Sequence, residues 1–181
     1  MPKFTNIGTV KDERDKVLLQ TGKALYSMDS TRQILKNYKS LPSVGSPYVL
    51  LESVSTTADG EIFGQDTYLN DDLVTYTTDT VRGYNWQMRI TVASDDPEDF
   101  LVLFSLNRWE DEFYWKYFGK ENVSLVNVGT ITDSSLPVEA GDFEVRYSAS
   151  LDFRFFAKVS TTVNTIETID ITTSVVNPDE L

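Results

Sequence analysis

The chain contains no cysteine and no histidine in its 181 residues. The first absence excludes disulfides and thiolate-ligated metals. The second removes the commonest metal ligand and the commonest acid–base group near neutral pH, so neither a Ser-His nor a Cys-His pair can be assembled. No apolar run approaches the ~20 residues that span a bilayer. The opening MPKFTNIGTVKDERDK lacks the apolar core of a secretory signal, so no membrane association is expected. Phosphate-cradling patterns are missing as well, with neither a P-loop nor a GxGxxG string. Basic residues are scarce: 16 Lys and Arg stand against 28 Asp and Glu, for a formal charge of −12. Phosphate binding rests on Lys and Arg, so this balance argues against a protein that grips nucleic acid. The same charge fits either an acidic wall past which DNA slides or simple solubility.

What is present is a 40% hydrophobic fraction and 12% aromatics, enough for a sizeable core in one domain. From Phe143 to Val159 the chain alternates without a break. Phe143, Val145, Tyr147, Ala149, Leu151, Phe153, Phe155, Ala157 and Val159 lie on one side; Glu144, Arg146, Ser148, Ser150, Asp152, Arg154 and Lys158 lie on the other, with Phe156 the one apolar exception. A period of two predicts a strand with one buried and one wet face. At ~3.3 Å per residue it would span roughly 55 Å, far beyond the usual five or six residues. Such a strand bends or projects past its own domain, where its wet face can meet another subunit.

The rest of the chain reads as follows. Lys11–Met28 is helical, with Val10, Val17, Ala24 and Leu18, Leu25 at heptad-like spacings. A second helical stretch restarts at Ser30, whose Ser-x-x-Gln pattern with Gln33 is a capping-box signature. LPSVGSP (41–47) marks a boundary. Tyr48–Val54 is a strand, buried on both faces at its start; Thr56–Asp72 is expected to be a long loop with a turn about Asp59-Gly60. Leu73–Val81 and Tyr84–Ser94 are strands joined by a turn at Arg82-Gly83; Tyr84, Trp86, Met88, Ile90 and Val92 form the apolar side of the second. Asp96, Pro97, Glu98 and Asp99 open one long helix, with Val102, Leu106, Trp109, Phe113 and Tyr117 as its core stripe and Gly119 at its end. Val123–Ile131 is a strand, Asp133–Asp142 a loop, and 162–175 a final β-rich segment with a bulge between Ile166 and Ile169. The fold class is α+β: a mostly antiparallel or mixed sheet of about five or six strands packed by one long helix, with an extra N-terminal helical segment. The expected organisation is 1–47 helical, 48–176 the α+β core and 177–181 a loose tail.

Chemistry is hard to find. The cluster Asp95, Asp96, Glu98, Asp99 is explained by helix capping and the helix dipole. Glu110, Asp111 and Glu112 read as the solvated side of the same helix. Asp66, Asp71 and Asp72 lack the alternate-position spacing of an EF-hand. No catalytic residue, metal site or cofactor is expected. Trp109, Phe113, Tyr114, Trp115, Tyr117 and Phe118 are too many for one helix face, so Tyr114, Trp115 and Phe118 must pack on the N-terminal segment or on a neighbouring subunit.

The order of elements is YVLLES, long loop, LVTYTT, YNWQMRITVAS, an acidic-capped helix, FEVRYSASLDFRFFAKV and a closing VNTIETIDI. This resembles the tail-terminator or neck proteins of tailed bacteriophages over roughly Tyr48 to Thr172. The resemblance implies a virion protein, assembled in the host cytoplasm, that forms a ring, usually sixfold, at the head-proximal end of the tail tube. Such a ring stops tube growth and joins the tail to head-completion or connector proteins. Its partners are copies of itself, the tail tube and a sheath where one exists; double-stranded DNA passes through the lumen without specific binding. On this view Arg146, Asp152, Arg154, Lys158 and Trp115 are candidates for the subunit interface. Asp59, Asp66, Asp71 and Asp72 in the first loop, and Asp133, Glu139 and Asp142 in the second, are candidates for contacts between rings. Another tail or head-completion part, or a binding module using exposed aromatics, are the alternatives.

Overall fold

The computed structural model describes residues 6–36, 47–119, 123–137 and 143–164. Helix α1 (Val10–Met28) starts on a reciprocal cap: the Thr9 hydroxyl accepts from Asp12 N, and the Asp12 carboxylate accepts from Thr9 N. Its buried face holds Val17, Leu18, Ala24 and Leu25, as the heptad-like spacing predicts. The segment after it is no helix. β1 (Gln33–Lys36) pairs parallel with the start of β2 (Tyr48–Leu69), and Gln33 N donates to Pro47 O. The capping-box pattern at Ser30 is overridden because Ile34 and Leu35 gain a ladder on the sheet edge and apolar neighbours beside it.

β2 continues through Thr56–Leu69, which corrects the expected long loop. It lies against β3 (Thr75–Ala93) for its whole length, and the Asp59-Gly60 turn is instead a bulge, with register shifts between Ala58, Ile62 and Gly64. β3 is likewise one unbroken strand through Arg82-Gly83. Gly83 is there for space rather than for a turn: a Cβ on it would sit 2.0 Å from Asp59 Oδ2.

The expected long helix is three short pieces. α2 (Pro97–Asn107) is followed by a break at Arg108–Glu110, then α3 (Asp111–Tyr114) and a π turn (Trp115–Gly119). With the helix interrupted, a stripe counted across the break loses its meaning. Of that stripe Tyr117 is buried and Phe113 packs on the core, whereas Val102, Leu106 and Trp109 are exposed and Phe100, Leu101 and Phe104 are buried in their place. Asp96 precedes α2 but makes no side-chain cap; its carboxylate accepts from Arg32 at 2.8 Å.

β4 (Val123–Val128), β5 (Thr132–Asp133) and a small hairpin of β6 (Leu136–Pro137) with β7 (Phe143–Glu144) lead to β8 (Arg146–Asn164). Among the described residues the main sheet has six strands in the order β1-β2-β3-β8-β4, with β5 also on β8, and of their pairings only β1–β2 is parallel. The fold is therefore α+β with a mixed sheet. α1, α2 and the π turn cover one face. There Trp86, Met88, Ile90, Leu151, Phe153 and Phe155 meet Leu25, Leu101, Phe104 and Phe118, all essentially without solvent contact. Each such side chain contributes about 1.5–3 kcal/mol by leaving water, so this layer fixes which sheet face is which. The alternation from Ala149 to Ala157 is read correctly from the sequence: every second residue is buried.

Beyond Ala157 the same face emerges from under the helices. β2, β3 and β8 run on together as a three-stranded arm, with the cross-strand rows Gln65–Thr80–Val159, Thr67–Thr78–Thr161 and Leu69–Tyr76–Val163. At ~3.3 Å per residue the stretch Lys158–Asn164 adds roughly 23 Å.

Candidate functional site

Among the described residues no three carboxylates converge on a metal-sized site. A hollow of 350 Å³ on the sheet face away from the helices is lined by Gln87, Arg89, Thr132, Ser148 and Ser150, with no base beside a hydroxyl to activate it. The distinctive surface of the molecule is the arm.

On its helix-side face, Leu69, Tyr76 and Val163 form one exposed cross-strand row, and Val159 and Ile62 extend the apolar surface toward the body. The opposite face is a polar network. Asp79 is fully buried; it accepts from Ser160 Oγ at 2.6 Å and is ion-paired to Lys158 Nζ at 3.1 Å. Burial alone would raise its pKa, but hydrogen bonds from Ser160, Lys158 and Tyr68 and the Lys158 charge outweigh that and hold it below the usual carboxylate value. Thr77 links Asn70 to Thr162 through hydroxyl contacts of 3.0 Å. At the tip, Asp72 Oδ1 accepts from the backbone of Val74 and Thr75, both at 2.9 Å. The Thr75 hydroxyl, which donates to Asp72 Oδ2 at 2.7 Å, and then these backbone donors lower the Asp72 pKa; the turn holds Leu73 at φ 57°, a left-handed conformation costly for leucine. Leu73 is 72% exposed.

The candidates for the subunit interface have partners inside the chain. Arg146 pairs with Glu144 beneath the Tyr48 ring, and both side chains are nearly buried. Asp152 accepts from Gln87 at 3.0 Å and Asn127 at 3.3 Å. Arg154 reaches Asp59 at 2.9 Å and Glu61 at 3.2 Å, pinning the bulge of β2, and Lys158 holds Asp79. So the long strand's wet face binds residues of its own sheet, and it joins Arg154 to Asp59, which the sequence assigns to separate surfaces. Trp115 is 57% exposed and lies close over Gly119. Of the acids expected in loops, Asp59 and Asp66 belong to β2, Asp71 and Asp72 form the arm tip, and Asp133 ends β5, where Ser135 lowers its pKa. Glu139 and Asp142 lie outside the described residues, as do Ile166 and Ile169.

Two features escape sequence reasoning. The apolar row of the arm is one; its signal is that Val159 and Val163 keep the parity of the buried residues after the helices have run out. The other is Arg32, 6% exposed, which clamps Asp29 and Asp96 at 2.8 Å each and lies over the Phe100 ring. An isolated arginine in a polar stretch carries no periodic signal.

Surfaces of this kind, with apolar rows and bare strands but no reactive group, belong to parts that assemble. A search of curated proteins finds no match for the chain. A family model does match, that of the phage neck terminator protein, over residues 22–179. The match takes in the end of α1, every described strand and both helices after β3, so the chain belongs to the phage neck terminator family, structural proteins of the virion at the junction of tail and head.

Proposed function

We propose that copies of this chain close into a ring, usually sixfold in the proteins it resembles, at the head-proximal end of the tail. The ring caps tail-tube growth, joins the tail to head-completion proteins and lets DNA pass through its lumen. The observation that carries this reading is the arm: three strands leave the helical layer with an apolar row in water, a surface that a monomer has no use for. The net charge of −12 supports the lumen, because acidic walls repel phosphates and do not hold passing DNA.

Within that ring, Trp115 is the aromatic subunit contact. Arg154, 42% exposed even while bound to Asp59 and Glu61, is the cation of β8 with most surface left for a neighbour's carboxylate. Asp71 and Asp72, carried with Leu73 at the arm tip, and Asp133 at the end of β5 are the contacts to the next ring or to the tube. The test is a phage unable to make the protein. Electron micrographs should show tails of uncontrolled length and heads left unjoined, both restored by supplying the chain. Tails of normal length joined to heads in its absence would refute the reading.

A further inference from the structure

The arm has two bare edges. β1 covers β2 only as far as Leu51, and β4 and β5 cover β8 only as far as Phe155, so among the described residues neither the outer edge of β2 beyond Leu51 nor that of β8 beyond Phe155 has a partner strand. Toward the tip neither edge is guarded. Natural edges are blunted by lysine, proline, bulges or short length, yet Ser160–Val163 carries no charge, Gln65–Leu69 carries only Asp66 and no register shift, and no proline lies in either.

The direction in which their backbone groups point can be read from the surrounding bonds. Lys158 N donates outward to Gly8 O, and Gly129 N donates to Ser150 O, so the even-numbered residues of β8 direct their backbone groups away from β3. Ser160 and Thr162 therefore present outward donors and acceptors. Asn70 N donates to Thr75 O, which makes the even-numbered residues of β2 near the tip face β3. Gln65, Thr67 and Leu69 thus point outward on the other side.

We infer that the two edges pair with each other between neighbouring copies, β8 of one against β2 of the next, in parallel. This rests on the ring reading above and says what closes it. Both edges run from the body toward the tip, so rotation about an axis along the arms brings them together pointing the same way. In a parallel ladder an outward-pointing residue bridges two outward-pointing residues of the partner and sits beside the inward-pointing one between them. Thr67, beside Thr161 of the next copy, would donate to the carbonyl of Ser160 and accept from Thr162 of that copy. Thr67 and Thr161 lie in one row on the same face, so the apolar rows of successive arms become continuous. An antiparallel join would place outward residues of opposite faces side by side and break those rows. A foreign strand would satisfy one edge and leave the other bare, whereas closure on itself abolishes both.

Because the chain has no cysteine, the pairing can be trapped directly. Thr67 and Thr161 of one copy are two strands apart, ~9.6 Å, beyond the ~7 Å limit of a disulfide. A T67C/T161C chain can therefore cross-link only between copies. Tails assembled with this variant and oxidised should give a covalent ladder on a non-reducing gel, ending at the ring's copy number and collapsing on reduction. Q65C/T161C and L69C/T161C cover registers shifted by two residues. Rings visible at the tail end with no ladder from any of the three would overturn edge pairing and leave the ring reading standing. Tails that incorporate wild-type chain with no ring at their end would overturn both.

Discussion

Replacing Asp79 by asparagine isolates one interaction that holds the arm. The side chain keeps its size and can still accept from Ser160, but the negative charge opposite Lys158 is gone. Breaking a fully buried ion pair costs about 3–5 kcal/mol because an uncompensated charge remains inside. Here the residual charge is on Lys158, 21% exposed at its side chain, so its ammonium can turn toward water and the cost should fall to about 2–3 kcal/mol. With a urea m-value of about 2 kcal/mol/M, the midpoint of unfolding at pH 7 should drop by about 1–1.5 M with the slope unchanged. The pH dependence has a definite sign. Asp79 has a folded pKa below its ordinary 3.8, so its contribution is complete above 3.8 and is lost as pH falls through the lower folded value. The gap between wild type and Asp79→Asn should accordingly be full from pH 5 upward and shrink below pH 3.8. A cycle with Lys158→Met should show most of the cost as coupling. A loss below about 0.5 kcal/mol at pH 7, or an equal loss at both ends of the pH range, would refute the argument.

Two further substitutions probe the bulge and the aromatic surface. Gly83→Ala should cost about 1–3 kcal/mol in urea unfolding, since the new methyl displaces Asp59 from Arg154; in an Asp59→Ala background the same change should cost under about 1 kcal/mol, and equal costs in both would show that the close approach does not matter. Trp115→Ala should change monomer stability by no more than about 1 kcal/mol, because most of the indole is in water, while lowering the yield of head-joined tails; an unchanged yield would remove Trp115 from the subunit contact.

The parts of the fold legible in the sequence are those whose two faces see different surroundings. α1 and the stretch Ala149–Ala157 have one face on the core and one in polar surroundings, and their periodicity shows it. The arm portion of β2 has no such contrast. TTADGEIFGQDTYL is polar, contains two glycines and reads as loop; it is a strand because β3 pairs with it on both sides of the bulge. β1 shows the same override at smaller scale, since nothing in QILK announces that Tyr48–Leu51 waits beside it. The helix after β3 misleads for the opposite reason: its apolar residues are dense enough to fit a stripe on either face, and only the break at Arg108–Glu110 decides between them. Of the candidate contacts, the charged residues of β8 are recognisable as a set, but their partners are distant in sequence: Asp59 lies 95 positions from Arg154, and Gln87 lies 65 from Asp152.

The bulge in β2 has a mechanical meaning. All 22 residues of β2 lie against only Tyr76–Ala93 of β3, whereas β3 and β8 match one for one from Thr75 to Ala93. One margin of the sheet is longer than the other, in the manner of a bimetallic strip, and a bulged strand bends and twists its sheet. No hinge separates body from arm, since β3 and β8 cross the boundary without a register shift. Were copies to close into the ring proposed above, its radius would follow from a surplus of backbone held in place by Arg154 and Gly83, with each copy's share of the curvature already set before it met the next.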